Sequence, residues 1–263
     1  MKWVLGNVLT LSGNFAQAEV CFNSGLIIAQ GLREAQLEGH LLNGLGELRL
    51  AQGRFEEATQ TLQHALERKR AGSETRILKH TWLSLGALYH QLRQPVEAGA
   101  AYEQALSVAR VQGDRRIETH TLINLAKLAV AQSQLDRVAG YIEAAAPLAA
   151  ESEFSDALAD LAELRGDLQL LTPEPDYHQL LAHYMEALAH ARDFNPATLQ
   201  RKVDYLVQVI RALADDGQPP TGAQMANDIA HLAGRMGLPS AVSLTFQGLA
   251  RDLLSSGNIN SAS

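Results

Sequence analysis

Hydrophobic and small residues recur three and four positions apart through most of the chain, as in Trp82, Leu85, Gly86 and Tyr89. This spacing places the residues on one side of an α-helix, the side that is expected to be buried. No stretch alternates apolar and polar residues over a length that would predict a β-strand. The pattern therefore predicts an all-α protein.

The helical pattern repeats with a period of 40 residues, and the same kinds of residue return in the same columns. One column holds Leu5, Leu45, Leu85 and Leu125, and the next holds the small residues Gly6, Gly46, Gly86 and Ala126. Further columns hold small residues (Ala18, Ala58 and Ala98), then large ones (Phe22, Leu62, Tyr102 and Ile142), then small ones again (Gly25, Ala65, Ala105 and Ala145). Large residues that meet small ones at helical spacing indicate helices that approach each other closely.

Each 40-residue unit contains a recurring break. The breaks are Gly13-Asn14-Phe15, Gly53-Arg54-Phe55 and Arg93-Gln94-Pro95. Pro95 suits the first position of a helix, where the missing N–H is not needed. Each unit is therefore predicted to be a pair of helices.

The third unit carries the most specific motif, Trp82-Leu83-Ser84-Leu85-Gly86-Ala87-Leu88-Tyr89 followed by Ala98, Tyr102 and Ala105. This motif resembles the tetratricopeptide repeat signature. The other units depart from it, since Arg49 and Ala129 replace the aromatic residue of the first helix and Val138 replaces the alanine of the second.

The period of 40 residues is longer than the usual value of about 34 in that family. It resembles the long-helix repeats of kinesin light chains and of the sensor regions of bacterial STAND signal-transduction ATPases and transcriptional activators. The resemblance implies an all-α fold, a right-handed superhelical α-solenoid of antiparallel helix pairs with about 13 helices.

The pattern shifts after residue 166. Gly166 keeps the register, but the next second-helix signature (Tyr177, Leu180, Tyr184, Ala187 and Leu188) comes two residues late. The prolines of Thr172-Pro173-Glu174-Pro175-Asp176 place the insertion in the turn between the helices. Residues 1–192 are therefore predicted to form five helical hairpins.

Three further helices, without the repeat signature, are expected at about 197–214, 222–236 and 239–255, separated by Gly217-Gln218-Pro219-Pro220 and Gly237-Leu238-Pro239. Terminal units of solenoids are commonly atypical. Residues 193–263 are predicted to be a degenerate repeat plus a C-terminal capping helix of the same solenoid, with the last few residues disordered; a separate domain is the alternative.

At the other end, the apolar sequence Trp3-Val4-Leu5-Gly6 lies directly inside the first predicted helix and exposes apolar surface. This favours a piece of a larger protein, and an oligomeric contact is the rival explanation.

Composition and charge narrow the classes of function. The chain has 22 Lys and Arg against 29 Asp and Glu, a formal charge of −7, and no basic stripe, which disfavours nucleic acid as a partner. Cys21 is the single cysteine, so a disulfide framework or a cysteine-based zinc site is excluded and a reducing cytoplasm fits best. No apolar stretch is long enough to span a membrane. P-loop, dinucleotide-binding and nucleophile-elbow motifs are absent, so we expect neither an enzyme nor a cofactor.

Solenoids bind partners on the concave wall that the first helices form. Polar residues of these helices outside the buried stripe are the candidate ligand or partner contacts, and they are Asn7, His40, Asn43, Glu47, His80, Ser84, His90, His120, Asn124 and Lys127. His40, His80 and His120 occupy one column of three consecutive units, either as contacts or as inherited copies of one ancestral histidine. Packed helices are about 8–10 Å apart, so three such histidines do not easily converge on a metal, and no metal site is expected.

Other distinctive residues do not indicate a functional site. His183 and His190 flank Glu186 but lack the HExxH pattern of a metalloprotease. Tyr89, Tyr102, Trp82 and Tyr184 are expected in the core, and Cys21 is expected to be a small inert hydrophobe.

The sequence therefore predicts a non-catalytic binding or sensor module of a larger signalling protein. Its partner is expected to be a protein, a peptide or other domains of the same polypeptide, without nucleic acid or membrane. A small-molecule receptor for a sugar or metabolite, which uses the same groove, is the alternative. A carboxylate clamp for a peptide terminus is disfavoured, because only Lys127 stands clearly in the groove among neutral or acidic residues.

Overall fold

The computed structural model describes residues 2–71, 78–173, 175–194, 196–215 and 221–260. Thirteen α-helices and no strand occur within these ranges, so the predicted all-α class with about 13 helices is confirmed. The helices are α1 (Lys2–Leu11), α2 (Phe15–Leu32), α3 (Ala35–Ala51), α4 (Phe55–Ala71), α5 (Leu78–Gln91), α6 (Pro95–Gln112), α7 (Arg115–Ala131), α8 (Leu135–Glu151), α9 (Ser155–Leu170), α10 (Tyr177–Phe194), α11 (Pro196–Asp215), α12 (Gly222–Arg235) and α13 (Ser240–Asn260).

The helix boundaries follow the 40-residue period. The even-numbered helices α2, α4, α6 and α8 begin at Phe15, Phe55, Pro95 and Leu135, 40 residues apart. The next one, α10, begins at Tyr177, two residues beyond the interval, because the turn after Leu170 is longer. The predicted two-residue insertion is confirmed.

The turns within a unit and the turns between units both contain a residue with a left-handed backbone conformation. Between the two helices of a unit, φ is +75° at Gly13, +73° at Gly53, +56° at Arg93 and +54° at Ser133. Between units the corresponding residues are Arg33, Gly113 and Glu153. Glycine adopts this conformation without strain, whereas a side chain with a Cβ does so at a cost of about 1–2 kcal/mol.

Glycine of the first helix receives a large side chain of the second helix within a hairpin. A Cβ atom added to Gly6, Gly46 or Gly166 would lie 2.6 Å from the side chain of Phe22, Leu62 or Tyr184, respectively. Gly86 faces the ring of Tyr102 in the same way. The columns of small and large residues in the sequence are therefore the two sides of one close helix–helix contact.

The helices divide into two compact units, Met1–Leu128 and Ala129–Ser263. In unit 1, the core between the first three helices contains Phe22, Leu41, Leu45 and Leu48, all fully buried or nearly so. A second cluster, built on Leu62, Leu85 and Leu88, joins α4, α5 and α6. Within this unit α3 also contacts both α1 and α5 directly, which brings the polar residues of neighbouring odd-numbered helices side by side.

Unit 2 has one continuous core that spans α9 to α13, with Tyr184, Ile229 and Phe246 among its fully buried side chains. Polar contacts reinforce it. Asp167 Oδ1 accepts hydrogen bonds from Tyr184 at 3.0 Å and from Tyr205 at 2.6 Å, so it ties α9 to α10 and α11. The buried ammonium of Lys202 lies 2.5 Å from Asp160 and 2.9 Å from Glu163.

The three C-terminal helices expected from the sequence are present as α11, α12 and α13, and the last of them extends to Asn260. The expected break at 217–220 and the expected disorder of the last few residues, 261–263, lie outside the described residues. The assignment of 1–192 to five repeats and of 193–263 to a degenerate repeat with a cap stays a prediction.

Across the ranges that the structure describes, no helix combines the length and the apolar character that a bilayer-spanning segment requires.

Candidate binding surface

Three columns of the sequence repeat form one face on the odd-numbered helices of unit 1. His80, Ser84 and Ala87 are spaced four and three residues apart on α5, so they share one side of that helix. The corresponding residues of α3 and α7 share the equivalent side. We call the ten predicted contact residues the polar first-helix face. Eight of them belong to these three columns, and two, Asn43 and His90, lie in other columns of the same helices; the ten are Asn7, His40, Asn43, Glu47, His80, Ser84, His90, His120, Asn124 and Lys127.

Glu47 is the centre of a hydrogen-bond network on this face. Its Oε1 accepts from Asn43 Nδ2 at 2.7 Å on the same helix and lies 2.7 Å from the hydroxyl of Ser84 on α5. The Ser84 hydroxyl is also 2.9 Å from the carbonyl oxygen of His80, and its single proton is shared between the two acceptors. The network joins α3 to α5 through polar atoms.

Asn43 and Ser84 are each only 7% exposed. The expectation that both lie outside the buried part of their helices is therefore wrong. They are covered because α3 packs directly against both α1 and α5, and the sequence period does not reveal these contacts. Their polar atoms need partners for this reason.

One of these atoms has no partner. Asn43 Oδ1 is buried and accepts no hydrogen bond within the described ranges. Nearby, Asn7 of α1 lies over α3, where a Cβ atom on Gly44 would be 3.0 Å from Asn7 Oδ1. An unpaired buried acceptor costs about 1–3 kcal/mol, so a donor that reached it after a rotation of the Asn43 side chain would be stabilising.

The three histidines of the repeated column have different surroundings. The ring of His40 is half-buried and lies 5.2 Å from the ring of Trp3, centroid to centroid. His80 is exposed and lies near Asp114. Burial raises the pKa of Asp114, but the hydrogen bonds from Lys79 and from the Ile117 N–H outweigh it and lower that pKa, and His80 adds the smallest contribution. His120 is half-buried. Among the described residues no group of three or more His, Cys, Asp and Glu is arranged to hold a metal ion.

His90 and Lys127 give the other end of the face a different character. Desolvation by burial lowers the pKa of His90 below 6.5, and the charge of Lys127 lowers it further. The imidazole is therefore neutral at pH 7 beside an ammonium group. A carboxylate or another hydrogen-bond acceptor would complement this end of the face.

Several ion pairs that the sequence pattern does not predict fix the neighbouring helices. The buried Lys79 donates to Gln112 at 2.7 Å and pairs with Asp114 at 2.6 Å, next to His80. The buried Glu38 pairs with Arg68 at 2.5 Å. A signal was available for a related contact, because Gln30–Glu38 and Arg110–Glu118 occupy the same two columns and both are hydrogen-bonded.

The other residues singled out in the sequence are the aromatic residues, His183, His190 and Cys21, and most of them lie in or against the packed core. Tyr102 and Tyr184 are fully buried and Trp82 and Tyr89 pack against the core of unit 1, so the prediction that the aromatic residues belong to the core is confirmed. His183 Nδ1 and His190 Nε2 each lie 3.8 Å from a Glu186 oxygen, which is beyond hydrogen-bond distance. Cys21 is half-buried.

In unit 2, an apolar groove of about 540 Å³ lies between α10 and α12, beside Leu181, Met185, Leu232 and Met236. The sequence pattern does not predict this groove.

Comparisons with known proteins identify the repeat. Two family models described as tetratricopeptide repeat match the chain, one over residues 1–71 and one over residues 80–112. A comparison with curated protein sequences finds no match.

Three solved structures share the fold at low sequence identity. BtubC (BKLC) from P. vanneervenii is 16% identical with a TM-score of 0.59 and covers 94% of this chain and 92% of its own. A Rap protein complexed with competence and sporulation factor is 14% identical with a TM-score of 0.62, covering 98% of this chain and 82% of its own. The third is PH0952 from Pyrococcus horikoshii, a STAND protein with a tetratricopeptide repeat sensor. It is 12% identical with a TM-score of 0.51, and the match covers 97% of this chain but only 36% of that protein.

These structures confirm the predicted all-α solenoid class. Tetratricopeptide repeats are generally non-catalytic and bind protein partners, which makes the chain a protein-interaction module. The matched segments and the hairpin geometry lead to one assignment: the chain is a protein of the tetratricopeptide-repeat type.

Proposed function

We propose that the chain is the non-catalytic binding module of a larger signalling protein and that it recognises a protein or peptide through the polar first-helix face. The observation that carries this proposal is the network of Asn43, Glu47 and Ser84, in which the buried Asn43 Oδ1 is left without a donor. Side-chain amides can both donate to and accept from a peptide backbone. Asn7 on α1 and Asn124 on α7 add two more amides to the same face.

The charges of the face favour a partner with an acidic group at one end. Lys127 and the neutral His90 lie together, whereas the carboxylate of Glu47 already accepts two hydrogen bonds. An acidic side chain of the partner would pair with Lys127 in a charge-assisted hydrogen bond. This arrangement supports recognition along the length of a peptide more than capture of its terminus.

The wider context rests on the structural relatives. A tetratricopeptide repeat sensor belongs to the STAND protein PH0952, and a Rap protein with this fold was solved with competence and sporulation factor. By analogy, we place this chain in the cytoplasm as the sensor part of a bacterial signalling protein. Its net charge of −7 supports partners other than nucleic acid.

The test is a selection of peptides from a random displayed library on the full chain. Selected peptides are expected to bind the wild type and to lose about tenfold or more in affinity on Lys127→Ala, because a charge-assisted hydrogen bond contributes about 1.5–3 kcal/mol. Arg235→Ala, which removes one positive charge from an exposed position on α12, is the matched control. Failure to enrich any peptide, or equal loss in both variants, contradicts the proposal.

A small-molecule receptor that uses the same face is the second candidate, and the uncharged amide of the half-buried Asn124 favours it. Sugars, nucleotides and other metabolites that bind the folded state raise the unfolding temperature by mass action. A rise with one of these compounds that disappears in Asn124→Ala would favour the receptor over the peptide module.

A further inference from the structure

The N-terminal hairpin of α1 and α2 exposes large hydrophobic side chains on two sides. On α1 they include Val4, Leu5 and Val8, and on α2 they include Val20, Ile27 and Ile28. Extended apolar surface of this kind on a soluble chain marks an interaction site. We call these six residues the N-terminal apolar surface.

The α1 side of this surface corresponds to a helix–helix interface in the next repeat. Leu5 and Val8 are 49% and 55% exposed, whereas Leu45 and Leu48, 40 residues later on α3, are 3% and 0% exposed. The α1–α2 hairpin packs on α3, where the ring of Phe22 would be 2.5 Å from a Cβ atom on Gly44. The α1 side therefore has the composition of a surface that is covered elsewhere in the same unit.

The α2 side is not accounted for by such stacking. Val20 and Ile27 correspond to Gln60 and Glu67 on α4, and all four residues are exposed. A hairpin that packed on α1 as α1–α2 packs on α3 would leave Val20 and Ile27 in water. The apolar surface is therefore wider than the contact between neighbouring repeats.

The hairpin is also nearly free of charge. Its charged side chains are Lys2, whose ammonium donates to Ser24 at 2.8 Å, and Glu19, which accepts from Arg54 at 3.2 Å. With a net charge of −7, two copies of the chain repel each other over most of their surfaces. The N-terminal hairpin carries one positive and one negative side chain, so it adds little to this repulsion.

We propose that the N-terminal apolar surface binds a second copy of the chain, so that the same patch of both copies meets in a two-fold contact. Such isologous contacts are the commonest in soluble oligomers, and they require a patch that does not repel itself. A recess of about 200 Å³ beside Trp3, Ile28 and Leu37 gives the partner copy a place for an apolar side chain. This contact adjoins the polar first-helix face, because Trp3 beside the recess also lies 5.2 Å from the ring of His40.

Light scattering coupled to size-exclusion chromatography tests the proposal on the full chain. The wild type is expected to show twice the chain mass at high concentration and a lower mass on dilution. Val4→Glu/Val8→Glu is expected to show the mass of one chain throughout. Both residues are exposed, so the substitutions leave the helix content in circular dichroism unchanged. Ile27→Lys on α2 provides a second variant, with an expected loss of at least tenfold in dimer affinity.

Val96→Glu/Val111→Glu is the matched control, because it introduces the same charges at exposed valines of α6. It is expected to keep the dimer mass. A wild type that remains monomeric at every concentration overturns the proposal, and it would assign the surface to a helix pair of another protein. Equal dissociation in the control and in the α1 variant overturns it as well.

Discussion

The hydroxyl of Ser84 on α5 lies 2.7 Å from Oε1 of Glu47 on α3, and the same oxygen accepts from the buried amide of Asn43. One carboxylate thus joins two helices of the proposed binding face. Substitution of Glu47 is therefore expected to change the stability of the chain even in the absence of a partner.

Glu47→Ala is expected to destabilise the chain by about 1–3 kcal/mol, because Asn43 Nδ2 loses its acceptor in a buried position. Glu47→Gln is expected to cost less, since the amide oxygen still accepts. Urea unfolding followed by circular dichroism measures both. Equal losses for the two variants would show that the charge, and not the hydrogen bond, matters.

Gly44→Ala is expected to cost about 1–3 kcal/mol, because the added Cβ would meet the ring of Phe22 at 2.5 Å in a packed core. Gly31→Ala is the control. It lies on the exposed side of α2 with no atom within 4 Å of the added Cβ, and it is expected to be neutral or slightly stabilising. The unfolding temperatures of the two variants give the comparison, and a similar shift in both would argue against the close contact.

Arg93→Gly is expected to stabilise the chain by about 1 kcal/mol, because Arg93 has a φ of +56° that glycine adopts without strain. Gly53→Ala, at the equivalent turn one repeat earlier, is expected to destabilise it by a similar amount. Opposite signs in urea unfolding are the decisive result; a loss of stability on Arg93→Gly would mean that the arginine side chain contributes more than its backbone costs.

The pH dependence of stability contains a contribution from Glu38. Burial raises its pKa, but the hydrogen bonds from Arg68 and Gln30 outweigh burial and bring the pKa below 4.5. The folded state therefore releases the proton more readily than the unfolded state, so the stabilisation is present above pH 4.5 and is lost as the pH falls through the folded-state pKa. In urea midpoints measured from pH 7 downwards, Glu38→Gln is expected to show a shallower acid loss than the wild type. Parallel curves would exclude this contribution.

Binding of an acidic peptide is expected to strengthen as the pH falls from neutrality. Burial and the charge of Lys127 lower the pKa of free His90, and a bound carboxylate offsets the charge of Lys127 and raises that pKa. Binding then takes up a proton. Isothermal titration calorimetry in buffers of different ionisation enthalpy measures the uptake, and His90→Gln should abolish it. An uptake that persists in this variant would assign the proton to another group.

Much of the fold follows from the sequence, because helix starts and turns are local features. The start of α10 at Tyr177 was predictable from two prolines and a two-residue shift. The surroundings of the candidate site were not predictable from the sequence. Asn43 and Ser84 look like surface residues in their own helices, and they are buried only because three odd-numbered helices pack side by side. Similarly, the pair of Lys79 and Asp114 joins residues 35 positions apart, which no helical period relates.

The pairing of glycine with a large side chain also bears on how such a chain changes over evolutionary time. Gly6 and Phe22, Gly46 and Leu62, and Gly166 and Tyr184 are partners inside single hairpins. A duplication of about 40 residues therefore copies both members of the pair together. The number of hairpins can then grow by recombination with this contact inside each hairpin intact, and the columns of the sequence preserve the record of that growth.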